Sequence, residues 1–312
     1  MTALAHPSAG ESALRAKAAD ENFPVALRLL RRRHREDLLA VYAFARLVDD
    51  LGDELDGDGA ARLEALAAAE QELDRAFEGT ATVPVFRRLS MTIERCELPR
   101  QPFADLIEAN RTDQRVSRYN SFNDLLGYCT LSADPVGQLV LHVFGELGRD
   151  PDRDAELSGW SHLVCSSLQI IEHLQDLAED AAAGRVYLPV EDCARFSVDP
   201  EAPATWRDGA GRATAALRRL VAFECSRARS MLAGGEVLVG ALRSWPAVVA
   251  VSGFAGGGHA QLSALERSGY DVLSGPVKAS HGAVAAHALA VLGRQGVAGR
   301  LGRSRERRGA KR

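Results

Sequence analysis

The sequence predicts an all-α fold, and three observations carry that prediction. Apolar residues recur at helical spacing through most of the chain. Ala, Leu, Arg and Glu dominate, while aromatics make up only 6%. There is no run of alternating strands and no internal repeat. With 312 residues, 46% of them hydrophobic, the chain can bury a large core, in one big domain or two ordinary ones.

The elements follow in order. Residues 1–20 are small and polar and are expected to be disordered. Order is expected from Glu21-Asn22-Phe23-Pro24, where Asn22 can cap a helix and Pro24 suits its first turn. A long helix over about 35–54 should end in the turn Asp56-Gly57-Asp58-Gly59. Further helices are expected over 60–78, 82–96, 100–117 and 121–131. Asp134-Pro135 reads as a helix start, with Asp as cap and Pro at the first position. Another long helix over 154–182 should stop at Gly184. Helices over 207–233, 236–243, 246–267 and 278–292 complete a domain spanning 21–293, and the basic residues 294–312 are expected to form a disordered tail. Gly256-Gly257-Gly258 lacks the GxGxxG pattern and reads as a helix break.

The net charge of −4 is unevenly placed. Residues 300–312 carry +6, leaving −10 on the rest. The body therefore does not resemble a nucleic-acid binder, whereas weak attraction of the tail to an anionic leaflet is an expectation. Five cysteines stand singly, with no CxxC pair, which suits reduced thiols and a cytoplasmic setting. No secretory signal is visible, and the longest apolar stretch, about 237–255, is interrupted by Arg243, Pro246 and glycines. A soluble protein, or one peripheral on the inner face of the membrane, is expected. Ser and Cys show no His/Asp constellation for nucleophilic catalysis.

Two segments carry concentrated chemistry. Tyr42, Arg46, Asp49 and Asp53 are spaced by 4, 3 and 4 residues, which places them on one stripe of a helix, with Asp50 to one side. Two carboxylates one turn apart repel, a cost that vanishes if they share a divalent cation. Arg46 can meet a phosphate. The bland alternative, a solvated acidic helix end, weighs about equally on this motif alone. Gln169, Asp176 and Asp180 form a second stripe, flanked by Glu172 and His173. Two such helices suit a diphosphate held between carboxylate walls by Mg²⁺, which keeps waters and bridges phosphate oxygens.

Longer stretches around these residues resemble a known family. Tyr128-Cys129-Thr130-Leu131-Ser132-Ala133-Asp134-Pro135-Val136-Gly137 is similar to the first squalene/phytoene synthase signature. Leu168-Gln169 through Gln175-Asp176-Leu177, then Asp180 and Arg185-Val186-Tyr187-Leu188-Pro189, is similar to the second. Asp49-Asp50-Leu51-Gly52-Asp53-Glu54 matches the first aspartate-rich motif. Glu21 to Ala26, Arg87-Arg88-Leu89-Ser90 and Pro135 look like the hydroxysqualene-forming HpnC branch. Condensing members commonly carry Arg before the second-motif aspartate, where this chain has Gln175. Glu172, His173 and Leu174 depart from the Asn and aromatics usual in that branch.

The resemblance implies a single-domain helical bundle of the isoprenoid synthase type with a central active-site cavity. It implies two or three Mg²⁺ ions on Asp49, Asp53, Asp176 and Asp180, with Glu172 a further candidate, and no nicotinamide cofactor. Arg46, Arg118 and Arg185 would neutralise the departing diphosphate. Phe23, Val136, Gly137 and Leu168 would shield a carbocation, Gln169 and Tyr187 would contact substrate, and Tyr42 and Tyr128 would orient diphosphate or water. The implied reaction is ionisation of presqualene diphosphate and water capture as hydroxysqualene, beside a presqualene diphosphate synthase and a hydroxysqualene reductase as pathway partners. The alternatives are condensation of two farnesyl diphosphates, chain elongation from the DDxxD fit of Asp49 to Asp53, and a non-catalytic isoprenoid-binding or scaffold protein.

Overall fold

The helical spacing of apolar residues is realised almost throughout. The structure is a computed structural model that describes residues 30–309 apart from 54, 56 and 57, with side chains up to residue 295. Phe23 and the expected start at Glu21 to Pro24 lie outside the described residues. The chain is 74% helical, with no strand among the described residues. They fall into two compact units, one comprising residues up to Ser117 and Tyr128–Pro151, the other Arg118–Gly127 and the chain from Asp152 on.

The first unit is built on α1 (Arg32–Asp53). Its apolar side, including Leu38, Val41, Phe44, Leu47, Val48 and Leu51, is buried. It packs against α2 (Gly59–Phe77), α3 (Pro84–Cys96), α4 (Gln101–Asp113) and α6 (Asp134–Val143), which follows α5 (Phe122–Ser132). Phe44 meets Phe86 and Phe103 edge-on, with centroids at 5.7 and 5.0 Å. Local signals set the boundaries. Asp58 caps α2 by accepting from the Ala61 amide at 3.0 Å, and Pro84 opens α3.

One predicted cap is corrected. Ala133 occupies the cap position of α6, and Asp134 is its first helical residue, 2% exposed. Ala133 alone separates α5 from α6, and its own amide still bonds to Cys129. A cap with extended backbone has no room there.

The second unit contains α7 (Pro151–Gln175), α8 (Leu177–Ala182), α9 (Val190–Phe196), a 3₁₀ turn (Pro203–Trp206), α10 (Ala215–Gly235), α11 (Val237–Ala241), α12 (Trp245–Arg267) and α13 (His281–Gly309). The single helix expected over 154–182 is therefore two, because Asp176 leaves helical geometry at φ −94°, ψ 9°. The break coincides with a side-chain bond from Gln175 to the Val277 carbonyl at 3.2 Å. Gly184, at φ +85°, ends the segment as expected. The expected helix over 207–233 starts only at Ala215, where Thr214 caps it. The last helix continues past residue 293.

The expected break at Gly256-Gly257-Gly258 is absent. α12 runs through all three, and Gly256 and Gly258 serve close approach. A Cβ on Gly256 would lie 2.4 Å from the Ala288 amide nitrogen of α13, and one on Gly258 would lie 2.7 Å from Leu168 Cδ2 of α7. Beside this contact, Glu236 accepts both a short bond from His259 and two bonds of 3.0 Å from Arg294, fastening α13. All five cysteines are free.

Candidate active site: two acidic helix faces

In the first unit, packing of the apolar side of α1 leaves Asp49 and Asp53 exposed, with Tyr42 and Arg46 partly so. Arg46 is not a lone phosphate-seeking cation. Its Nε lies 2.8 Å from Asp50 Oδ1, and Asp50 is 1% exposed. Asp50, to one side of the stripe, is thus the buried carboxylate that pairs with Arg46. Asn110 of α4 donates to Asp49 Oδ1 at 3.1 Å. Gln114 donates to the Gly52 carbonyl at 3.0 Å. The buried Tyr128 hydroxyl donates to Asp113 Oδ2 at 2.6 Å, so it is held beside α4. Val136 is partly buried and Gly137 buried on α6.

Burial pushes the Asp49 carboxyl up to about 6; the Asn110 bond and Arg46 oppose this, and Asp53 and Asp50 add to it. Asp49 is nevertheless accessible.

The second face is assembled around a stacked column. His173 lies flat on Tyr187, with centroids at 3.7 Å and planes 11° apart, and Tyr187 stacks on Tyr119 at 5.9 Å. Gln169 Nε2 sits 3.2 Å from His173 Nε2. Across the ring, His173 Nδ1 lies 3.9 Å from Asp180 Oδ2, and Arg185 Nη2 lies 4.0 Å from Asp180 Oδ1. Gln169, Asp180, Arg185 and Tyr187 are thus brought together through His173, a residue the sequence placed only as flanking. The strand-like bridge of Arg118 with Val186 and the bond from the Val190 amide to the Tyr119 carbonyl hold the column in register. Arg118 itself donates to the Gly184 carbonyl at 2.8 Å and the Pro200 carbonyl at 3.3 Å, and pairs with Glu201. It clamps the loop after α8. Glu172 is exposed on α7.

Asp176 is exposed at the break, and its carboxyl is raised by burial first, then by Asp180 and Glu179, against the charges of His173 and Lys278. Lys278 was not among the candidates, because it stands about a hundred residues away in the sequence. Its segment is fixed by Gln175 and Gln261. Gln261 donates to the Val277 carbonyl at 2.6 Å and accepts from the Ala279 amide at 2.9 Å. Two glutamines bonding one carbonyl is a signal legible only after folding.

Each face thus offers two hard carboxylate oxygen donors one turn apart, and on each face one carboxyl is raised, by burial first and by its neighbour's charge in addition. Among the described residues no cluster of three or more His, Cys, Asp or Glu is placed to hold a metal ion. The donor set fits magnesium, which accepts one or two carboxylates and completes its shell with water and phosphate oxygens.

Comparison with known proteins gives a consistent set of likenesses. Residues 16–283 match the family described as squalene/phytoene synthase. The chain is 33% identical over 231 residues to hydroxysqualene synthase of Rhodopseudomonas palustris, covering 72% of this chain and 73% of that one. It is also 33% identical over 282 residues to phytoene synthase of Mycobacterium tuberculosis, covering 88% of each. Among solved structures, squalene synthase HpnC from Alicyclobacillus acidocaldarius superposes with a TM-score of 0.70 at 38% identity, covering 86% of this chain and 98% of that one.

Proposed function

The chain belongs to the squalene/phytoene synthase family, and we propose that it ionises presqualene diphosphate and captures the resulting cation with water to give hydroxysqualene and diphosphate. The observation that carries this reading is the pair of acidic faces: Asp49 and Asp53 are both exposed on one, and on the other Asp176 is exposed beside the partly buried Asp180, each pair close enough for one charge to bear on the other. Asp49 and Asp53 on one face, and Asp176 and Asp180 on the other, are the residues that would hold magnesium. Bound magnesium supplies Lewis acidity to the phosphate oxygens of the leaving group. Arg46, paired with Asp50, and Arg185, beside Asp180, would add positive charge where negative charge develops. Tyr128, held by Asp113, and Tyr187, held in its stack, keep ring and hydroxyl positions from wandering during the reaction.

Head-to-head condensation of two farnesyl diphosphates is the second reading, favoured by the likeness to phytoene synthase. Gln175 weighs against it. The condensing members of the family commonly carry Arg there, whereas this side chain is neutral and bonded to the Val277 carbonyl.

Asp176→Ala tests the metal reading. Because Asp176 is accessible, the variant should keep its fold, with stability changed by about 0.5 kcal/mol or less. Turnover of presqualene diphosphate with magnesium should fall to background. Turnover equal to that of the parent protein would refute the assignment.

A further inference from the structure

We propose that Asn110 is a positioning residue for the first acidic face, fixing the Asp49 carboxylate for a divalent cation, and that position 52 is glycine because the Asn110 amide fills the space of a side chain there. The inference rests on the metal role given above to Asp49.

Asn110 lies on α4, 7% exposed. Its Nδ2 donates to Asp49 Oδ1 and to the Leu106 carbonyl, each at 3.1 Å. Its Oδ1 faces Gly52 so closely that a Cβ built there would lie 2.3 Å from it, with Cγ at 3.1 Å and Cβ at 3.3 Å. One turn later Gln114 donates to the Gly52 carbonyl at 3.0 Å and to the Asn110 carbonyl at 3.2 Å. Asn110 of α4 and Gln114, which caps its C-terminus, therefore hold both the carboxylate at 49 and the backbone at 52.

The chemistry of the amide suits this task. It engages one carboxylate oxygen and leaves the other, Oδ2, for a cation. A neutral donor fixes orientation without cancelling charge, whereas Lys or Arg in its place would compete with the metal. A carboxylate there would repel Asp49. Ligating carboxylates held by such outer partners commonly lose about 10–100-fold in metal affinity or activity when the partner is removed.

The test uses the full chain and two readouts. The first is the rise in melting temperature on adding magnesium with inorganic diphosphate, which reports binding without turnover. The second is the magnesium concentration for half-maximal turnover. Asn110→Ala should melt within a few degrees of the parent, show a smaller magnesium–diphosphate shift, and need about tenfold more magnesium. Gly52→Ala should lose both stability and metal response through collision with Asn110. The double variant Gly52→Ala with Asn110→Ala should regain melting temperature but not metal response; it is also the route if either single variant fails to fold. Recovery of both would show a packing role only and overturn the proposal, as would an unchanged magnesium requirement in Asn110→Ala. If the parent protein itself shows no magnesium–diphosphate shift, the metal reading falls and takes this proposal with it.

Discussion

Glu224 on α10 is 1% exposed, and it shares Arg227 with Asp192, the guanidinium lying 3.3 Å from Glu224 and 2.5 Å from Asp192. One cation cannot balance two buried carboxylates. Burial raises the Glu224 carboxyl from 4.5 to about 8, with Arg227 opposing and Asp192 reinforcing the rise. The folded protein thus keeps a proton that the unfolded chain releases. This group's contribution to stability is fully present below pH 4.5 and is lost as pH rises to about 8. The urea midpoint should fall between pH 5 and pH 8.5, and Glu224→Gln should reduce that fall. An equal fall in both proteins would contradict the assignment. At this scale the sequence was partly legible. The spacing of Asp49 and Asp53 put them on an accessible stripe, as found, but spacing cannot say which neighbour is buried. Asp50 meets Arg46 within α1 once burial is known, whereas Asn110 and Lys278 acquire their roles from partners on other segments.

Among the elements, the helices were legible wherever a local signal set their ends. Asp58, Pro84 and Gly184 act where they stand, through one bond, one fixed φ and one left-handed residue. Gly256-Gly257-Gly258 was misread because the intrinsic cost of glycine in a helix is visible in sequence, while the packing that repays it is not. This predicts a sign. On propensity alone Gly256→Ala would stabilise α12 by about 1 kcal/mol. With Ala288 backbone 2.4 Å from the new Cβ, overpacking of about 1–3 kcal/mol should prevail and lower the melting temperature by several degrees. A raised melting temperature would show that α12 and α13 do not approach so closely. The break at Asp176 had no local signal, since it accompanies the distant contact of Gln175 with Val277.

At the scale of the whole molecule, fold class and family were legible because three motifs stand in order along a helical chain, and the comparisons bear both out. The division into two units, each carrying one acidic face, was not. Helix lengths and caps do not reveal which helices pack together. No described helix is long and apolar enough to cross a membrane. What the family leaves open is the reaction, and here the chain's own residues speak through Gln175, which gives the second face no arginine at that position. The most direct measurement supplies the purified protein and magnesium with farnesyl diphosphate in one reaction and presqualene diphosphate in another, and identifies the products of each. Hydroxysqualene from presqualene diphosphate alone is the expected outcome. A C30 product from farnesyl diphosphate would make the protein a condensing synthase, and no product from either substrate would contradict the enzymatic reading altogether.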